Sequence, residues 1–289
     1  MQKPNFFIVG AARCGTTSLY HYLDQHDEIY MSKVKEPGYF CGTDDSDKRS
    51  NNSVKPSYVY NWESYLDLFE GANDNHKVLG EASADYLYCK EAPNRIKNRL
   101  DNPKFLAILR DPVDRAHSHY KLLKNKNATS FSSFKEAIQE DPQYLERGLY
   151  YEQISRYISN FPKNSVKVIL FDDFVENTEK VVRDVFAFLK VDDEKRVKVD
   201  KKYNAHGKPK IEIITDLINE NSNLIKTTAK TLLKEKWVSF IRSKIQLWNN
   251  IPMKKEEVGE DLERYIRDYF RTDLKKLDNI LSIDIDEWY

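Results

Sequence analysis

No stretch of the 289 residues approaches the roughly 20 consecutive apolar positions that a membrane-spanning helix requires; the longest apolar runs lie near FFIV and VILF. The N-terminus lacks a basic leader followed by a long apolar segment. MQKPNFFIVG enters a strand almost at once, so no secretory signal is expected, and a cytoplasmic protein is. Neither sign of charge is in excess, because 46 Lys and Arg balance 46 Asp and Glu. That removes the global field which would draw the chain to nucleic acid or an anionic surface. Cysteine is scarce: Cys14, Cys41 and Cys89 are too few, and odd in number, for a disulfide framework, and they are not spaced as metal ligands. Internal repeats and linkers are also missing.

What is present is an alternation of short β-rich runs with helical patterns. Strands are expected at 6–10 (FFIVG), 76–83, 104–111 and 165–174, with a shorter strand-like piece at 28–32. Helices are expected at 16–26, 112–126, 130–141, 148–161 and 177–191. Pro112 suits the first turn of its helix. The alternation argues for one α/β domain over 1–289, with a mostly parallel central sheet flanked by helices on both faces. A ligand then sits at the carboxyl ends of the strands, beside the first strand–loop–helix. Residues 41–60 are polar and aperiodic, and are expected to form a mobile loop. The part from 211 to 289 is expected to be mainly helical. Its basic amphipathic stretch within 211–249 is expected to pack on the domain with a solvated basic face.

The chemistry concentrates in IVGAARCGTTSLYHYL, residues 8–23. Gly10 and Gly15 have the spacing of a P-loop, but Thr16 stands where the phosphate-clamping lysine belongs. Such a turn aims backbone N–H groups inward, and the helix starting near Thr16 adds its positive end. Thr16, Thr17 and Ser18 add hydroxyls, and Arg13 adds charge. The loop is therefore an anion cradle, but one that lacks the lysine reaching the β- and γ-phosphates of a triphosphate. A P-loop kinase-like enzyme would require that lysine and a magnesium-binding acid, for which Asp172 and Asp173 are the nearest candidates. Cys14 reads as a small filler of the loop. Downstream, FLAILRDPVDRAHSHY (105–120) places Arg110 at a strand end and Ser118 two turns into the next helix. Arginine forks onto a phosphate with two charge-assisted hydrogen bonds, and a serine adds a third. Alone, this pattern would better describe a structural salt bridge of Arg110 with Asp111 or Asp114 and a surface Ser118.

Together the two stretches resemble the nucleotide motifs of sulfotransferases that use 3′-phosphoadenosine 5′-phosphosulfate (PAPS). That family's loop often reads GxxKxGTTSL, with Arg replacing Lys in many members, as at Arg13; its second motif reads LRxPxxRxxSxY. The chain is similar to bacterial members and to the glycan- and heparan-modifying branch. The resemblance implies PAPS as donor, 3′,5′-adenosine bisphosphate as product, and no metal. It places the loop from Arg13 through Cys14, Gly15, Thr16, Thr17 and Ser18 at the 5′-phosphosulfate, and Arg110 and Ser118 at the 3′-phosphate. ERGLYY resembles the family's RGxY helix, so Arg147 and Gly148 are expected to border the nucleotide. YNAHGKPK (203–210) lies where a basic loop closes over it, with Asn204, Lys208 and Lys210 as candidates.

KEPGYF (35–40) resembles the KEPHFF-type segment whose Glu is the general base. It implies Glu36 in that role, with Lys35 beside the leaving group or the acceptor. His117 and His119 are weaker bases, since they flank Ser118 on the nucleotide helix. Two departures bear on the acceptor: Gly38 replaces a common His, and residues 81–86 read EASADY where relatives often have E-K-[ST]-P-x-Y. Asp85, Tyr39 and Tyr86 are the acceptor-side candidates. The expected acceptor is a saccharide hydroxyl, or an amine, with a small soluble metabolite as the alternative.

Overall fold

The computed structural model describes residues 2–42, 59–199, 207–209, 250–252, 258–281 and 283–289. Five strands form one sheet: β1 (Phe6–Gly10), β2 (Ile29–Met31), β3 (Val78–Ala82), β4 (Lys104–Leu109) and β5 (Val166–Leu170). Their order is β2–β3–β1–β4–β5, and every neighbouring pair is parallel. Phe6 registers with Gly80 on one side and Lys104 on the other, and Phe105 registers with Val166. All five residues of β1 are buried, as is β4 from Phe105 onward. This is why both strands read as unbroken apolar runs, the pattern of a sheet covered on both faces.

The helices are α1 (Thr16–Leu23), α2 (Trp62–Leu66), α3 (Ala92–Arg99), α4 (Pro112–Asn125), α5 (Phe134–Glu140), α6 (Gln143–Glu146), α7 (Tyr150–Asn160), α8 (Phe171–Glu176), α9 (Thr178–Leu189) and α10 (Glu260–Leu281). From β1 the chain winds towards β2 and then returns across β1 to β4. Right-handed crossovers in opposite directions put helices on opposite faces. Accordingly α1 packs with α9, while α7 packs with α3 and α10. The reversal at β1 opens a crevice at its carboxyl end, where the 10–15 loop lies. A two-stranded antiparallel pair, β6 (Gly207–Pro209) with β7 (Asn250–Pro252), stands apart from this sheet. β7 and α10 both fall within the part expected to be mainly helical from 211 onward, of which 211–249 lie outside the described residues.

The expected strand over 165–174 is shorter than its apolar content suggests. It ends at Leu170, and α8 starts at once. Asp172 and Asp173 occupy the first turn of α8, where carboxylates complement the helix dipole. Phe174 turns back into the core. Of the expected loop at 41–60, residues 43–58 lie outside the described residues.

Candidate active site

Gly15 caps α1 with φ 81°, and a Cβ there would lie 3.1 Å from Phe174 and 3.3 Å from Phe171. The aromatic pair at the start of α8 thus forms the wall of the loop, and only glycine fits against it with that backbone. Arg13 also has a positive φ, 77°. Between them Cys14 is fully buried, and burial pushes its thiol up to about 11. Its side chain is a neutral filler, so any ligand contact from Cys14 falls to its backbone. Thr16 is buried as well, while Thr17 and Ser18 are half-buried.

The two expected motifs meet. Arg13 Nε donates to Ser118 Oγ at 3.4 Å, across 105 residues of sequence. Arg110, at the end of β4, donates to Asp114 at 2.9 Å and lies 4.8 Å over the Phe171 ring. Burial and the charges of Arg110 and Arg115 pull Arg13 down to about 10, which leaves it protonated at neutral pH. Arg115 is fully buried and donates to the Tyr144 carbonyl. Its Nε and Nη1 have no hydrogen-bond partner, and neither has Nε of Arg110 or of Arg147. Buried donors left unpaired are costly. Three arginines keep such atoms around one lysine-free loop, although Arg110 and Arg147 each also pair with a carboxylate, so the loop is lined by donors suited to an anion. Arg115 was absent from the candidates drawn from sequence, although it is the second arginine of LRDPVDRAHSHY; a long charged side chain at zero exposure has no local signature.

Arg147 pairs with Asp85 at 2.8 Å and stacks 4.5 Å over Tyr88. Asp85 is therefore matched within the chain, which accounts for its charge without a cationic acceptor. Gly148 is buried, and a Cβ there would meet Phe270 of α10 at 2.8 Å and Pro112 at 3.1 Å. Its smallness serves the close approach of α10 to the start of α4. Asp111 caps α4 by accepting from Val113 and Asp114 amides at 2.8 and 3.0 Å. Arg267 of α10 clasps Asp111 at 3.0 Å. Asn204 and Lys210 lie outside the described residues, and of Lys208 only the backbone, within β6, is described.

Glu36 takes a conformation opposite to the extended one expected before Pro37: its φ is 61°. Local hydrogen bonds override the pre-proline preference. Its amide donates to the Ala82 carbonyl at 2.8 Å, and its Oε2 accepts from the Ala84 amide at 2.8 Å. Lys35 Nζ donates to Oε1 at 2.5 Å. The Ala84 carbonyl lies 3.1 Å from where a Cβ of Gly10 would stand. A partly exposed carboxylate is thus tied to a residue packed against the first glycine of the anion loop. Non-glycine residues held at positive φ persist where the surroundings over-determine them, and they cluster at functional sites.

His117 is buried against Phe134. His119 packs on Tyr144; burial and the charges of Arg115, Arg147 and Arg13 push its imidazole down to about 3. Tyr39 is almost fully buried and stacks on Tyr65. Tyr86 is wholly buried with its hydroxyl given to Glu81 at 2.8 Å, so the expectation of Tyr86 as an acceptor contact is corrected: it belongs to the core.

Glu81, at the end of β3, is fully buried and accepts from Tyr65, Tyr86 and Ser83. Burial pushes it up to about 7 against the pull of those hydroxyls, with Glu36 adding repulsion. The folded value lies above the ordinary one, so its contribution to stability is full at low pH and is lost as pH rises towards 7. His119, held low, acts in the opposite sense, so the contrast between parent and Glu81→Gln isolates Glu81. Denaturant unfolding at pH 5 and pH 8 is expected to show the parent's advantage over this variant shrinking by about 3 kcal/mol on going to pH 8. An advantage that is constant or grows with pH contradicts the assignment.

Residues 4–195 match the family model described as "Sulfotransferase family". Over 148 residues the chain is 32% identical to the membrane-associated sulfotransferase kil1 of Dictyostelium discoideum, covering 50% of this chain and 29% of that protein. Over 245 residues it is 26% identical to human carbohydrate sulfotransferase 15, covering 64% of this chain and 43% of that one. The chain thus spans less than half the length of either curated relative. The crystal structure of a sulfotransferase from Alicyclobacillus acidocaldarius superposes with a TM-score of 0.75 at 27% identity, covering 100% of this chain and 99% of that one.

Proposed function

We propose that this chain, which belongs to the sulfotransferase family, moves the sulfuryl group of PAPS to a hydroxyl or amine of a saccharide. The observation that carries this reading is the group of buried, unpartnered guanidinium nitrogens around a P-loop that has Thr16 in place of its lysine. That donor set suits a nucleotide with phosphates at two separate ends, and it fits poorly a triphosphate that needs a lysine between its β- and γ-phosphates. Arg13 and the amides around Gly15 to Thr17 would hold the 5′-phosphosulfate, joined by the Thr16, Thr17 and Ser18 hydroxyls. Arg110 and Ser118 would hold the 3′-phosphate, with Arg147 and Gly148 at the border and Asn204 and Lys208 as further candidates.

When bound, PAPS supplies the activated sulfuryl group. Glu36 takes the acceptor's proton as the new S–O bond forms, which is base catalysis of the ordinary kind. Lys35 aligns the Glu36 carboxylate and stands within reach of the same region. Arg13 and the loop amides steady the charge that grows on the departing phosphate, an electrostatic role that needs no proton transfer. The name of the carbohydrate sulfotransferase above supports the saccharide class; a small metabolite is the alternative acceptor. None of Cys14, Cys41 and Cys89 is bridged, which supports a reducing, cytoplasmic setting, and no described helix is long and apolar enough to cross a membrane.

The test is calorimetric titration with 3′,5′-adenosine bisphosphate, ATP and 5′-AMP, without added metal and again with magnesium, followed by PAPS assays against a panel of unsulfated oligosaccharides. Tight binding that requires the 3′-phosphate is the expected result. A preference for ATP with magnesium would overturn the proposal in favour of a P-loop kinase-like enzyme.

A further inference from the structure

Four hydrogen bonds to residues 82–86 help to hold the 36–40 turn in place. Two involve Glu36 itself, through Ala82 and Ala84. The other two run from the Gly38 amide to Ser83 Oγ at 3.1 Å and from the Phe40 amide to the Tyr86 hydroxyl at 3.2 Å. A hydroxyl can accept in this way only if its single proton points elsewhere. Here both protons point at one group: Ser83 donates to Glu81 Oε2 at 2.8 Å, and Tyr86 donates to Glu81 Oε1 at 2.8 Å. Tyr65 of α2 adds a third donor to Oε1 at 2.6 Å.

We infer that Glu81 is a positioning residue for Glu36, acting through the Ser83 and Tyr86 hydroxyls, whose direction it sets. A carboxylate accepts and does not donate, so all three hydroxyl protons turn inward and the oxygens of Ser83 and Tyr86 are left open to the turn. The amide of a glutamine in its place donates on one side and therefore forces at least one hydroxyl to reverse. The reversed hydroxyl then has its proton free to swing towards the amide of Gly38 or Phe40, and that tether is weakened. A carboxylate buried at zero exposure is a costly way to fill a core when an apolar side chain of equal volume would do. The arrangement explains its presence here: the turn contains a non-glycine residue at positive φ, and that conformation needs support from several directions.

The inference rests on Glu36 as the base for its catalytic meaning, but its structural content can be read separately. Amide hydrogen exchange of the full chain at pH 8.5 is expected to be at least 10-fold faster across 36–41 in Glu81→Gln, with β1 and β4 unchanged. Unchanged exchange there would overturn the inference. Should Glu81→Gln fail to fold, Ser83→Ala and Tyr86→Phe each cut one tether. They are expected to speed exchange at Gly38 and at Phe40 respectively, and no change in either overturns the inference equally.

Turnover with PAPS and the best acceptor of the panel provides the second readout. Glu81→Gln is expected to lower kcat roughly 10- to 100-fold while KM for PAPS and affinity for 3′,5′-adenosine bisphosphate stay put. In a Glu36→Gln background it is expected to cost nothing more. Multiplied losses in the double variant would mean that Glu81 does not act through Glu36. If Glu36→Gln alone leaves kcat unchanged, the base assignment falls, while the exchange result still judges the tethers.

Discussion

Replacing Glu36 by Gln is expected to lower turnover by roughly 10²- to 10⁴-fold while leaving the affinity for 3′,5′-adenosine bisphosphate unchanged. The substitution preserves shape. A glutamine carbonyl still accepts from the Ala84 amide, and the backbone bond to Ala82 is untouched. What disappears is the capacity to take a proton, together with the ion pair to Lys35. Lys35→Ala separates these two losses, because it removes the ion pair and keeps the base; a smaller fall in kcat is expected. The measurement is kcat by sulfuryl transfer from PAPS, paired with calorimetry of the nucleotide. Turnover equal to the parent's in Glu36→Gln would move the base elsewhere. His119 would then be the next group to examine, because burial, together with the arginine charges, keeps it neutral and Nδ1 lacks a partner.

The second large effect is expected at Arg110. Truncation to Ala should weaken 3′,5′-adenosine bisphosphate roughly 10- to 150-fold, the worth of hydrogen bonds to a charged group, while 5′-AMP loses little. The selectivity is the point: a nucleotide without a 3′-phosphate has nothing to give Arg110. Arg110→Lys should recover only part of the loss, because a point charge does not replace a planar fork. Ser118→Ala should show the same selectivity with a smaller magnitude, through one neutral donor that also accepts from Arg13. Equal weakening of both nucleotides would show that Arg110 supports the loop as a whole, through its stacking on Phe171 and its bond to Asp114, and does not read the 3′ end.

The parts of the fold that could be read from sequence are those where one local signal dominates. FFIVG and FLAIL are apolar throughout because both faces of their strands are covered, and Pro112 after Asp111 marks the start of α4 through its own geometry. The anion loop was legible because its glycines have a spacing and a backbone requirement. Short α2, α3 and α6 were not, since each is held mainly by tertiary packing and too few turns exist for a period to show. The end of β5 was hidden because Phe171 and Phe174 continue an apolar pattern through the change from strand to helix.

Within the site, pairings across long sequence separations left no trace. Asp85 meets Arg147 over 62 residues, which made Asp85 look available for a ligand. Tyr86 resembled any tyrosine near a cleft until its hydroxyl was found on Glu81. Glu36 carried a misleading signal: the pre-proline preference is real, and one backbone and one side-chain hydrogen bond outweigh it.

The clasp between α10 and the start of α4 governs the order in which the site is put together. Arg267 reaches Asp111 across 156 residues, holds the Trp288 carbonyl at 3.0 Å, and belongs to the helix whose Phe270 closes over Gly148. A nascent chain on the ribosome has the sheet, the glycine loop and Arg110 long before residue 267 is made. Until then Asp111 lacks its guanidinium and the surface of Gly148 is bare. These contacts are non-local ones of the kind that slow folding, and they join α10 to the start of α4. The turn that carries Arg110 and Asp111 is therefore completed only when residue 267, far along the chain, has joined the fold.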